Sequence, residues 1–187
     1  MQDCNHFDYG HLALGDGFVA GRRKFIKLAA LGAGSALFFA GAPARASGTA
    51  EAMLLSCMDF RLVDDLVKFM DGKGLTNEYD HIVLAGASAG ATSDKFAGWH
   101  ETFWSHLKVA IDLHKVTKVM VIDHRDCGAY KIAFGPDHAA DPALELAVHA
   151  AVLRPFAAKI KEKYASLEVE TYLMALDGSV EDIALQS

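Results

Sequence analysis

Two short segments of the chain contain the residue types that a zinc ion binds. Residues 56–61 read Ser-Cys-Met-Asp-Phe-Arg, and residues 124–128 read His-Arg-Asp-Cys-Gly. Cys57, His124 and Cys127 offer two thiolates and one imidazole, a mixture that borderline-soft zinc accepts. Three protein ligands leave a fourth coordination position for water or substrate, as in catalytic zinc sites. The sequence therefore predicts a catalytic-type zinc site at these three residues.

Asp59 and Arg61 stand two positions apart directly after the first cysteine. In an extended or turning segment both side chains can point the same way, and the guanidinium fork can hold the carboxylate in an ionised state. Zinc can lower the pKa of a bound water to about 7. An ionised Asp59 could then orient a zinc-bound hydroxide toward an electrophile, so we expect hydration or hydrolysis. The alternative is an exposed ion pair of little consequence.

The elements that position these residues are apolar runs without strict polar alternation, a pattern typical of buried parallel strands. The four runs are Ala52 to Ser56, His81 to Gly86, Lys118 to Asp123 and Glu170 to Leu176. Apolar residues recur at helical spacing between them. The pattern β-α-β-α-β-α-β predicts an α/β fold, a small and mainly parallel β-sheet flanked by helices.

Three predicted helices lie between these strands. The first carries Leu62 to Met70 and ends at Gly72 and Gly74, and the second carries an aromatic stripe from Trp99 and ends near His114. The third begins at Asp141-Pro142, a cap followed by a first helical position, with Pro155 as a predicted kink. Residues 56–61 and 124–128, called here the chemical segments, both follow the carboxyl ends of predicted strands. Sheets of this kind bind ligands there.

Cys57-x-Asp59-x-Arg61 and His124-x-x-Cys127-Gly128 resemble the two signature motifs of β-class carbonic anhydrases. The resemblance extends to residues 101–123 and 172–183, and so covers most of the chain after the N-terminal region. It implies that Cys57, His124 and Cys127 bind Zn²⁺, that Asp59 and Arg61 form the catalytic pair, and that the reaction is reversible hydration of carbon dioxide to bicarbonate. Related enzymes on this scaffold act on carbonyl sulfide or carbon disulfide, which is the alternative reaction.

The chain departs from that family at two places. Family members carry an Arg-Asn-Ala-Gly-like segment after the second strand, whereas residues 85–90 read Ala-Gly-Ala-Ser-Ala-Gly. We therefore expect different contacts on the substrate side. The resemblance implies a homodimer or higher homo-oligomer, but the region before the first strand is short and lacks the N-terminal helices that embrace a partner subunit. We expect dimerisation to be altered or absent.

Residues 1–46 have the features of an export signal. Residues 21–27 read Gly-Arg-Arg-Lys-Phe-Ile-Lys, which resembles a twin-arginine signal, and Ala44-Arg45-Ala46 fits a signal-peptidase site. The apolar run between them, 28–42, has 15 residues, fewer than the roughly 20 that span a bilayer. We predict cleavage after Ala46, no stable membrane anchor, and a periplasmic or secreted domain over residues 47–187.

The charge balance argues against nucleic acid as a partner. The full chain has 18 basic and 24 acidic residues, and removal of the predicted leader leaves 13 and 21, a formal charge of -8. No basic cluster with interleaved aromatic residues is present. The sequence thus predicts a soluble domain acting on a small molecule.

Three further interpretations stay open for the chemical residues. An oxidising destination would allow a disulfide between Cys57 and Cys127, although a disulfide does not account for His124 or Asp59. A non-catalytic periplasmic module, zinc-binding or disulfide-stabilised, is the second. Residues 86–90 also match the Gly-x-Ser-x-Gly pattern of a serine hydrolase, with Ser88 as nucleophile.

The other histidines of the predicted mature chain show no partnered spacing. We interpret them as exposed helix or loop residues rather than as ligands: His81, His100, His106, His114, His138 and His149. Cys4, His6 and His11 belong to the predicted leader and receive no functional role.

Overall fold

The computed structural model describes residues 48–183, which form a five-stranded sheet in the order β2-β1-β3-β4-β5. Neighbouring strands are parallel, apart from β5, which is antiparallel to β4. The strands are β1 Ala52–Ser56, β2 Tyr79–Val83, β3 Lys118–His124, β4 Glu168–Met174 and β5 Val180–Asp182. The predicted mainly parallel sheet is confirmed. Strands β2 and β4 begin two residues earlier than predicted, and the short edge strand β5 was not predicted.

Helices connect these strands as the alternating pattern predicts. They are α1 Val63–Gly72, α2 Ser88–Thr92, α3 His100–Val109, α4 Gly128–Phe134 and α5 Pro142–Lys163. Shorter 3₁₀ segments span Phe60–Leu62, Asp94–Trp99 and Pro136–Ala140, and a π-helical turn extends α3 over Ala110–His114. The short helices α2 and α4 were not predicted from the hydrophobic periodicity of the sequence.

Helix α5 begins with the predicted cap. The Asp141 carboxylate accepts hydrogen bonds from the amides of Ala143 and Leu144, at 2.7 and 3.2 Å, and Pro142 occupies the first turn. This cap satisfies amides that have no partner inside the helix. The helix continues for 22 residues with Pro155 inside it.

The sheet is covered on both faces, which is why the central strands β1 and β3 are buried along almost their whole length. On one face Met53 and Leu55 belong to a buried cluster with Phe103 of α3 and Leu153 of α5. On the other face Leu54, Met120 and Ile122 pack with Leu66 and Met70 of α1. Each such side chain contributes about 1.5–3 kcal/mol when fully buried. The rigid central strands β1 and β3 carry the chemical segments at their ends.

The apolar residues of the second predicted helix differ in burial. Phe103 and Leu107 are fully buried, whereas Trp99 is 39% exposed and stacks on Phe96. Within residues 48–183, no helix is long and apolar enough to cross a membrane. The predicted leader 1–46 and the predicted cleavage site lie outside the described residues.

Candidate metal centre

The strand order creates a crevice at the carboxyl ends of β1 and β3. The chain passes from β1 outward to β2 and then returns to β3 on the other side of β1. Ser56 pairs with Ile122 in the parallel register, so Cys57 and His124 leave the sheet at the same edge. Ligands of open α/β sheets bind at such a reversal. The fold therefore brings the two chemical segments to the expected place.

Cys57, His124 and Cys127 meet at this edge. One potential ligand atom of each lies within 4.8 Å of the others, and the two Sγ atoms are 4.0 Å apart. Two thiolates on one tetrahedral zinc, each at about 2.3 Å, lie about 3.8 Å from each other. A disulfide needs about 2.05 Å, and both cysteines are free thiols here. The spacing fits a shared metal ion.

The ring of His124 is oriented as a metal ligand. Its Nδ1 donates a hydrogen bond to the carbonyl oxygen of Arg125 at 2.8 Å, which leaves the Nε2 lone pair free in the neutral ring. Nε2 is buried and has no hydrogen-bond partner. A buried polar atom without a partner is costly, so this orphaned nitrogen indicates a missing ligand. The donor set and its orientation fit zinc.

The two thiols share one negative charge when no metal is bound. A hydrogen bond from Cys127 is the main cause that lowers the pKa of Cys57 to about 4, against the opposing effect of burial. His124 and the backbone amide of Gly86, 3.2 Å from Sγ, lower it further. The Cys57 thiolate and burial in turn raise the pKa of Cys127. The pair therefore titrates as a unit, and metal binding must release a proton from it.

The pKa of His124 is raised by the same charge. Burial alone lowers it, but the adjacent Cys57 thiolate raises it by more than burial lowers it. The centre therefore holds a thiolate beside an imidazole that readily keeps a proton. A dication can replace that proton and neutralise the thiolates.

Arg61 holds Asp59 and joins the two loops of the centre. Its Nε and Nη2 donate to the two carboxylate oxygens of Asp59 at 2.9 and 2.7 Å. Its Nη1 donates to Asp126, in the loop before Cys127, at 3.0 Å. The hydrogen bonds from Arg61 lower the pKa of Asp59 to about 2. The pair is thus part of the centre, and Asp59 is ionised at neutral pH.

A small cavity is lined by Asp59, Cys57 and His124. Its volume is about 10 Å³, close to the minimum of about 10–15 Å³ that holds one water molecule. Asp59 Oδ2 is 3.8 Å from His124 Nε2 across it. The rest of the wall is apolar: Leu62, Leu66, Ile122 and Met174. The cavity offers one polar side and one apolar side.

Residues 85–90, the segment that departs from the family pattern, hydrogen-bond to Cys57 and to Asp123. Gly86 has a φ of +78°, and a Cβ there would lie 2.9 Å from Cβ of Ala129, so only glycine can present its amide to Cys57 this closely. Ser88 is fully buried. Its Oγ donates to Asp123 at 2.6 Å and lies 2.7 Å from the hydroxyl of Tyr130. Ser88 is therefore a structural residue and not the accessible nucleophile of the alternative prediction.

A carboxylate that the sequence analysis did not single out holds the loop before Cys127. Glu145 accepts a hydrogen bond from the amide of Asp126 at 2.6 Å and from Arg125 at 3.2 Å. Its side chain is 7% exposed, which is unusual for Glu. It comes from the start of α5, far from the motif in sequence. The sequence signal for Glu145 is its position four residues before His149 on the same helix.

The prediction for His138 and His149 was wrong. They are not exposed loop or helix residues, because the structure buries them to 5% and 0% exposure. Both belong with Glu145 to a group whose ligand atoms lie within 4.8 Å. The Glu-x-x-x-His spacing at 145–149 places both side chains on one helix face and was the available sequence signal.

Comparison with known proteins finds similar sequences and similar folds. A family model described as "Putative carbonic anhydrase" matches residues 48–184. An uncharacterized protein of Rickettsia conorii is 41% identical over 134 residues, which are 72% of this chain and 72% of that protein.

Solved structures share the fold at low identity. β-Carbonic anhydrase isoform I of Trichomonas vaginalis has a TM-score of 0.50 at 16% identity, covering 91% of this chain and 97% of its own. A tetrameric β-carbonic anhydrase of Sordaria macrospora also has a TM-score of 0.50, at 14% identity, covering 91% of this chain and 92% of its own.

Proposed function

Because the chain belongs to the family described as "Putative carbonic anhydrase", we propose that it catalyses the zinc-dependent, reversible hydration of carbon dioxide to bicarbonate. The observation that carries the proposal is the meeting of two thiols and an unpartnered imidazole nitrogen beside an ionised carboxylate. In this proposal Sγ of Cys57, Sγ of Cys127 and Nε2 of His124 hold the metal. Bound zinc supplies Lewis-acid activation of water near neutral pH.

Asp59 orients the attacking water. Its carboxylate faces the small cavity beside His124 and, with a pKa of about 2, can only accept hydrogen bonds at neutral pH. Accepting one from the water turns an oxygen lone pair toward the carbon of the substrate. Arg61 keeps both carboxylate oxygens in place through two parallel hydrogen bonds. Arg61 is thus the positioning residue and Asp59 the catalytic one.

The apolar side of the cavity suits a small uncharged substrate. Leu62, Leu66, Ile122 and Met174 offer no hydrogen bond from their side chains, so they favour carbon dioxide over water at that side. Strands β1 and β3 fix the proposed metal ligands, while α1 supplies Leu66 and the 3₁₀ segment before it supplies Leu62. Carbonyl sulfide and carbon disulfide have the same linear, uncharged shape, and they are the alternative substrates.

We also propose that a second copy of the chain covers an apolar groove next to the centre. The groove has a volume of about 300 Å³, and Cys57 lines it together with Val63, Val67 and Val83. These three valines are 47–55% exposed, and the neighbouring Met58 is 67% exposed. Such a contiguous patch is typical of an interface. The tetrameric relative from Sordaria macrospora is consistent with a homo-oligomer.

Export by the twin-arginine route, with cleavage after Ala46, is proposed from the sequence of the leader. In a bacterial host, the N-terminal residue of the periplasmic protein should be Ser47, and replacing Arg22 and Arg23 by lysine should retain the chain in the cytoplasm. Cytoplasmic accumulation of the unmodified chain would contradict this route.

Stopped-flow hydration of carbon dioxide tests the proposed reaction. The purified zinc-loaded protein should accelerate hydration above the buffer rate, and Cys127→Ser should lose the activity together with zinc at this centre. Both variants are assayed in the full-length chain, where Cys4→Ser is the matched control because Cys4 lies in the predicted leader. Hydrolysis of carbonyl sulfide without carbon dioxide hydration would favour the alternative substrate. Full zinc occupancy of this centre without turnover of either substrate would indicate a non-catalytic module.

A further inference from the structure

A second group of potential metal ligands lies buried at the start of α5. His138 comes from the 3₁₀ segment before the helix, and Glu145 and His149 come from its first turns. They are 5%, 5% and 0% exposed, and one ligand atom of each lies within 4.8 Å of the others. We propose that these three side chains form a second divalent-metal site, of the type that binds zinc.

Both histidine rings are fixed by their Nδ1 atoms. Nδ1 of His138 donates to the carbonyl oxygen of Gly135 at 2.6 Å. Nδ1 of His149 donates to the buried carboxylate of Asp123 at 3.1 Å. A carbonyl or a carboxylate oxygen behind the ring is the usual outer partner of a metal-binding histidine, since it leaves Nε2 as the ligand atom.

The Nε2 atoms that remain are unpartnered. Those of His138 and His149 are buried and have no hydrogen-bond partner. With the Nε2 of His124 they are the buried side-chain nitrogen and oxygen atoms without a partner in residues 48–183. Two of these three orphaned atoms therefore belong to this one group, which indicates a shared ligand.

Glu145 supplies the third ligand atom and part of the charge. Each carboxylate oxygen accepts one hydrogen bond, from the amide of Asp126 at 2.6 Å and from Arg125 at 3.2 Å, and keeps a further lone pair. A dication would be balanced by the carboxylates of Glu145 and Asp123, the second of which accepts the hydrogen bond from Nδ1 of His149. The buried charges would then compensate one another, as burial requires.

Two imidazoles and one carboxylate form a ligand set that zinc uses in proteins, with a fourth position for water. Ligand atoms at about 2.1 Å from a tetrahedral zinc lie about 3.4 Å apart, so binding would draw atoms that now lie within 4.8 Å of one another closer together. Because all three ligands are buried, the ion would act structurally. It would fix Glu145 and hence the amide of Asp126 next to Cys127.

A buried water bonded to the two Nε2 atoms is the other occupant that the chemistry allows. Metal content of the purified full-length protein distinguishes the two. We expect two zinc ions per chain in the unmodified protein, one in Cys127→Ser and one in His138→Gln. His106→Gln is the matched control, because His106 also donates Nδ1 to a backbone carbonyl but is exposed. It should retain both ions.

Two results would overturn the proposal. One is a single zinc per chain that Cys127→Ser removes and His138→Gln leaves in place. The other comes from Co²⁺ titration of the metal-free unmodified protein, which needs no variant to fold. We expect one equivalent with thiolate-to-cobalt charge-transfer absorption and a second equivalent with d–d bands alone. Saturation at one thiolate-bound equivalent would leave water as the occupant.

Discussion

Replacing Arg61 by glutamine separates the positioning of Asp59 from its ionisation. The substitution removes the two hydrogen bonds that Arg61 donates to Asp59 and the one it donates to the side chain of Asp126. The Arg61 side chain is 34% exposed, so each carboxylate contact is worth at most about 1 kcal/mol and the free energy of unfolding should fall by about 1–2 kcal/mol. Zinc should remain bound, because the substitution leaves the three proposed ligands in place.

We expect the turnover of Arg61→Gln to fall as well. Loss of an outer partner at a metal centre typically costs about 10–100-fold in activity, and we expect that range for carbon dioxide hydration measured by stopped flow. The pKa of Asp59 should rise from about 2 toward its ordinary value of 3.8, which still leaves it ionised between pH 6 and 9. The variant should therefore be slower at every pH in this range while the shape of its pH–rate profile is unchanged.

The stability difference has a defined pH dependence. Because the folded-state pKa of Asp59 is lowered, its contribution is fully present above about pH 4 and is lost as the pH falls toward about 2. Lys68→Gln is the control, since it removes a 74% exposed cation that pairs with Asp65 of α1. Unchanged turnover in Arg61→Gln, or a fall in rate that a higher pH restores, would refute the positioning role.

Three further predictions concern the same crevice. Asp59→Asn should retain zinc and lose about 10–100-fold in hydration rate, and an unimpaired rate with the metal bound would contradict the orienting role. Ser88→Ala should lower the free energy of unfolding, measured by chemical denaturation, by about 1–3 kcal/mol, because a buried hydrogen-bond partner of Asp123 is lost. Its turnover in the hydration assay should be retained. Abolished turnover in a folded Ser88→Ala protein would instead revive the serine nucleophile. Val63→Glu should shift the mass measured by light scattering to that of a monomer, and a monomeric unmodified protein would show that no second copy covers the groove.

The strand pattern and the ligand motif were readable because each depends on local sequence. Buried parallel strands are continuous apolar runs, so β1 and β3 were found at or within one residue of their ends. Cys57 directly follows β1 and His124 is the last residue of β3, which is why their meeting could be expected from topology alone. The edge strand β5 has three residues, one half-buried and two exposed, and gives no comparable pattern.

The support around the centre could not be read from the sequence. Glu145 reaches the amide of Asp126 only because α5 packs back across the sheet, and His149 was interpreted as exposed because its partner Asp123 lies on β3. Such contacts join residues with no shared motif or period. They depend on the packing of helices against the sheet, which a single sequence does not specify residue by residue.

The central claim is that a metal held by Cys57, His124 and Cys127 produces the hydration activity. The most direct measurement adds zinc stepwise to metal-free protein and follows the carbon dioxide hydration rate together with the protection of Cys57 and Cys127 from alkylation. The rate should rise in proportion to the protected fraction of these two thiols and reach its maximum when both are fully protected. Complete protection without hydration above the buffer rate would contradict the claim.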